Sequence, residues 1–89
     1  MTNAEKKLDE LGFERSVEYY QKNNLDIISE IKYIKKSKEE VFEIMFHLFG
    51  ELKKEVSFRL YDKDGISLPT VDETLGQIVL ERKKELGWT

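Results

Sequence analysis

The chain has no cysteine, one proline and one histidine. Without cysteine there are no disulfides, no thiolate zinc sites and no thiol nucleophile. No apolar run approaches the length of a membrane span. The opening MTNAEKKLDE is polar and carries acids, so it reads as neither signal nor transit peptide. A cytoplasmic protein is the expectation. A net charge of -3 gives no overall pull toward nucleic acid or anionic lipid. There is no Gly-x-Ser-x-Gly elbow, P-loop or dinucleotide fingerprint.

What is present suits a soluble globular chain. With 39% hydrophobic and 37% charged residues over 89 positions, residues 1–89 read as one domain with a modest core.

The stretch DKDGISLPTVDE, Asp62 to Glu73, superficially resembles a calcium loop. An EF-hand needs side-chain oxygens at positions 1, 3, 5 and 12 around a glycine at 6. With Gly65 at position 6, positions 1 and 12 fall on Leu60 and Val71, which supply none. Asp-Gly instead predicts a chain reversal, and no metal or cofactor is expected.

Both ends read as amphipathic helices. In TNAEKKLDELGF, Thr2 and Glu5 have capping-box spacing, Ala4, Leu8 and Leu11 share a face, and Gly12 is the stop. TVDETLGQIVLERKKELGWT repeats the scheme, with Thr70 three residues before Glu73 as its cap. Its stripe is Val71, Leu75, Ile78, Val79, Arg82 and Leu86, and Gly87 precedes Trp88.

The middle alternates with a period of two, as half-buried strands do. Val56, Phe58 and Leu60 oppose Ser57, Arg59 and Tyr61, and ISEIKYIKK alternates around Ile31 and Tyr33. Asn23-Asn24 suits a tight hairpin. VFEIMFHLFG fits two patterns: a strand facing inward through Phe42, Ile44, Phe46 and Leu48, or a helix capped by Ser37 and Glu40. Its aromatic and branched content, and the short reversal Gly50–Lys54 that follows it, favour the strand. The expected fold is α+β: a short N-terminal helix, a four-stranded antiparallel meander and a C-terminal helix packed on the sheet. The alternative is a mostly α bundle with residues 38–55 helical.

Candidate chemistry is sparse. His47 shares a strand face with Val41, Met45 and Phe49, and no partner stands at a fixed spacing from it. The carboxylates sit at helix starts or turns, where capping or solvation explains them without the pocket that acid–base work needs. A non-enzymatic protein is therefore expected. Lysine clusters (Lys35, Lys36 and Lys38, then Arg82, Lys83 and Lys84) together with Tyr19, Tyr20, Tyr33 and Tyr61 allow an alternative, a sheet that stacks nucleic-acid bases. Acids interleaved with those clusters argue for solubility instead. The apolar surplus of Val41, Met45 and Phe49 opposite the core face predicts a protein-binding surface that includes His47, for a partner protein or a second copy.

An opening KKLDELGFER, a meander carrying IKYIKK and VSFRL, and a close of ERKKELGW resemble short uncharacterised proteins of phages and prophages of Gram-positive bacteria. The resemblance implies an α+β fold and a mobile-element origin. It transfers no catalytic or binding residue.

Overall fold

The computed structural model describes the backbone of residues 1–22, 25–49 and 53–88, and their side chains except at 20–22, 25–29, 48, 49 and 53. The order is α1 (Asn3–Glu10), β1 (Glu14–Lys22), β2 (Leu25–Lys36), β3 (Val41–Phe49), β4 (Lys53–Asp62), β5 (Gly65–Ser67) and α2 (Glu73–Glu85). The strands form one antiparallel meander in chain order. The α+β expectation holds with five strands in place of four, and Val41–Phe49 is a strand. The extra strand is β5, which returns from the Asp62–Gly65 turn along Leu60–Asp62. That turn is tied by the Asp62 carboxylate, which accepts from Asp64 N at 2.8 Å, and Gly65 takes φ +124°. The Asn23-Asn24 pair and most of the Gly50–Lys54 reversal lie outside the described residues, but Lys53 and Lys54 are already strand.

Both helices end as their Leu-Gly-aromatic signatures predict. Gly12 and Gly87 have φ of +95° and +75°. Phe13 N donates to Leu8 O, and Trp88 N to Lys83 O. These are the paired closures of a Schellman stop, and they turn each aromatic back onto the sheet. Phe13 meets Phe42 edge-on at 5.6 Å, and Trp88 lies 5.8 Å from Phe46. At the start of α1, Thr2 and Glu5 form the expected capping box. The expected Thr70 cap of α2 is displaced: Asp72 caps instead, its carboxylate accepting from Leu75 N at 2.7 Å. An aspartate immediately before the first helical residue outcompetes a threonine two positions earlier.

Register divides the sheet into two faces. Ile31, Phe46 and Val56 form one cross-strand row and Tyr33, Ile44 and Phe58 the next. Ala4 and Leu8 of α1 and Leu75, Ile78 and Val79 of α2 pack on this face as one buried cluster. The opposite face carries neither helix. Its rows are Lys36, Val41, Tyr61 and Ile66; Glu14, Ile34, Glu43 and Arg59; Ser16, Lys32, Met45 and Ser57; and Glu18, Glu30, His47 and Glu55.

Candidate functional site

Among the described residues, polar and exposed apolar side chains gather at the buried seam under the helices, the centre of the open face and the β4–β5 corner.

The seam is built around Glu5. This side chain was legible as a helix cap, and it also reaches inward. Its Oε2 accepts from the Tyr33 hydroxyl at 3.0 Å and from Arg15 Nη1 at 3.1 Å, with Arg82 Nη2 at 3.6 Å. Arg82 Nε donates to the Tyr33 oxygen at 2.9 Å. Burial pushes the Glu5 carboxyl up, but the Tyr33 hydrogen bond and the Arg82 and Arg15 charges outweigh it and hold its pKa below the ordinary value. Burial pushes the Tyr33 phenol up to about 12. Glu85 continues the seam by accepting from the Thr2 hydroxyl and from Ala4 N.

This seam takes Arg82 and Tyr33 out of the surface that the nucleic-acid alternative would use. Arg82 is 6% exposed and is held by Tyr33 and Glu5, so it offers no guanidinium to a phosphate. A cation on the apolar stripe of α2 can be buried only if it is paired. Tyr33, one of the proposed stacking tyrosines, is 2% exposed. Lys35 lines a hollow with Asp72 and Leu75 at the start of α2. Lys83 and Lys84 lie near its end, roughly 17 Å away at helical rise, and Lys83 is half-buried. Lys35, Lys36 and Lys38 are exposed around the β2–β3 turn, so the two clusters do not converge.

At the centre of the open face, register supplies the partners that spacing alone did not reveal. His47 Nε2 lies 2.7 Å from Ser57 Oγ, and His47 Nδ1 lies 3.1 Å from Glu30 Oε2. Lys32 Nζ stands 3.2 Å from Glu30 Oε1, and Glu30 is the main cause of the raised Lys32 pKa. A hydroxyl–imidazole–carboxylate chain is the arrangement that activates a nucleophile. Here it stands on three neighbouring strands whose backbone donors are committed to the ladder, and the concave surfaces lie elsewhere. One, of about 520 Å³, runs between the helices past Leu11, Thr74, Gln77 and Ile78. The chain of contacts is best accounted for as cross-strand pairing that satisfies polar groups around Met45. Among the described residues, no group of three His, Asp or Glu side chains is placed to hold a metal ion.

Met45 itself departs from expectation. It lies opposite Ile44 and Phe46, as alternation predicts, yet it is 2% exposed. Lys32 and Ser57 flank it across the sheet, and long charged side chains cover apolar surface efficiently. Val41 and His47 are half-buried, and the Phe49 side chain is outside the described residues. Among the described side chains, no exposed apolar row therefore runs along β3.

An exposed apolar row runs across the strands instead. Val41, Tyr61 and Ile66 share one row, with Ile66 67% and the following Leu68 88% exposed.

Comparison with family models, curated proteins and solved structures finds no match. None of the described helices is long and apolar enough to cross a membrane.

Proposed function

We propose that this chain is a small, cytoplasmic, non-enzymatic protein-binding accessory protein of mobile-element origin. Its contact surface is the β4–β5 corner of the open face. One observation carries the reading: Ile66 and Leu68 extend the Val41–Tyr61 row into solvent at a corner where no described element covers them. Leaving two aliphatic side chains in water forgoes roughly 1.5–3 kcal/mol each of burial, a loss that a partner recovers. The corner replaces the Val41, Met45, His47 and Phe49 face, from which Val41 alone carries over. A photo-crosslinking side chain at Ile66 tests the proposal in cells. A discrete adduct is expected that disappears with Leu68→Asp and is not formed from a crosslinker on the exposed Lys6 of α1. Equal adducts from both positions, or none, would refute it.

A further inference from the structure

We propose that the cleft between α1 and α2 binds a small organic cation with an apolar body, such as an aromatic amine. The site lies on the helix-covered side of the sheet and does not depend on the reading of the β4–β5 corner.

The cleft follows from how the two helices meet. The start of α1 is pinned to the end of α2: the Thr2 hydroxyl donates to Glu85 at 2.6 Å, and Lys7 Nζ reaches Glu81 at 2.8 Å. Beyond Lys7 a cavity of about 520 Å³ stands between the helices, lined by Glu10 and Leu11 of the first and by Glu73, Thr74, Gln77 and Ile78 of the second. Small-molecule sites span roughly 300–1,000 Å³. Leu11, which caps α1, is 41% exposed beside the buried Ile78, so the cleft offers aliphatic surface to a ligand. The Thr74 hydroxyl and the Gln77 amide supply hydrogen-bonding groups at its edge.

Charge selects the sign of the ligand. Glu10 and Glu73 stand one on each helix, and both are exposed. Lys7 lines the closed end but is held by Glu81. Lys35 lies in the adjoining hollow, its ammonium 5.8 Å from the Phe13 ring, and Asp72 lines that hollow too. Among the described residues around the mouth, the carboxylates of Glu10, Asp72, Glu73 and Glu81 therefore outnumber the ammonium groups of Lys7 and Lys35. The helix dipoles do not reverse this, because the negative end of α1 and the positive end of α2 meet here and offset each other. Glu10 is also the last residue of α1, where a carboxylate opposes the dipole. Helix preference does not account for it, and residues that break a local rule gather at functional places.

Phenethylammonium, 3-phenylpropionate and ethylammonium serve as probes, titrated into the isotope-labelled protein while backbone amide resonances are followed. Phenethylammonium should shift Leu11, Thr74 and Gln77 saturably. The anion should bind about tenfold more weakly, and so should ethylammonium, which lacks the ring. Added salt should shrink the first difference and leave the second. The double variant Glu10→Gln, Glu73→Gln should bind the two ring probes alike, with its circular dichroism spectrum unchanged. Thr74→Trp, which fills the cleft from an exposed position, should abolish binding, and Gln77→Trp serves the same end if that variant unfolds. Equal affinity of the parent chain for the two ring probes would overturn the cationic ligand. Equal affinity for the two ammonium probes would overturn the apolar site. Shifts mapped away from the cleft, or none at millimolar probe, would overturn the proposal as a whole.

Discussion

Tyr33 Oη lies 2.9 Å from Arg82 Nε and 3.0 Å from Glu5 Oε2. One phenol thus joins the middle of the sheet to the last helix and, through Glu5, to the first. Glu5 and Arg82 are 5% and 6% exposed, so each draws its polar partners from the seam, with Arg15 and Glu85 completing the set.

Tyr33→Phe should keep the fold and lose about 1–3 kcal/mol in denaturant unfolding, because it leaves a buried carboxylate and guanidinium short of a partner. Arg82→Met should lose a similar amount, about 1–3 kcal/mol, since it removes the donor to the Tyr33 oxygen while Arg15 and the Tyr33 hydroxyl still hold Glu5. The double variant should be less destabilised than the two losses added together. Strict additivity would mean that the three side chains are independent.

The seam also sets the limits of pH stability. Glu5 and Glu85 have folded pKa values below the ordinary 4.5. Their stabilisation is present above that value and is lost as pH falls through their folded pKa values. Tyr33 works in the opposite sense. Its folded pKa is about 12 against an ordinary 10.0, so its contribution is intact below pH 10.0 and is lost as pH rises toward about 12. Melting temperature followed against pH should fall at both ends. Tyr33→Phe should flatten the alkaline fall.

Gly12→Ala and Gly87→Ala should each destabilise by about 1 kcal/mol, because both positions hold positive φ. A Cβ at Gly12 would lie 3.6 Å from the Lys35 side chain, and at Gly87 it would meet nothing, so conformation rather than collision sets the loss. Thermal unfolding that matched the parent chain for both variants would contradict this.

Met45→Glu places a charge at a position 2% exposed with Glu30 and Glu43 on neighbouring positions of the same face. It should unfold the chain or lower its melting temperature sharply. Ile66→Asp, at a position 67% exposed, should leave stability nearly unchanged.

The sheet was legible because alternation in VSFRLY and VFEIMF survives any uncertainty about where turns fall. Thr2, Gly12 and Gly87 act within one helical turn, so they too were readable. β5 was not: three residues ending before a proline are too few for a pattern, although the Asp-Gly reversal that launches it was visible. The seam joins positions 5, 33 and 82, which no spacing rule connects. A trace of it did exist, since Arg82 falls on the apolar stripe of α2, where an unpaired cation could not stay. The Glu30–His47–Ser57 contacts required the register of two hairpins. Met45 was misjudged because alternation reports which face a side chain takes, and not how well its polar neighbours cover it.

The Thr2 hydroxyl donates to Glu85 Oε1 at 2.6 Å across a sequence separation of 83. Every strand pairs with its sequence neighbour, so the sheet can assemble by successive short loop closures. The helix–helix contact is different, for it must bring together residues 83 positions apart, and long closures slow folding. The meander should therefore be in place before the helices dock. Linking residues 1 and 89 covalently would make that last contact local. A circularised chain, or one reopened within residues 37–40 between β2 and β3, should then fold faster than the natural order while reaching the same structure.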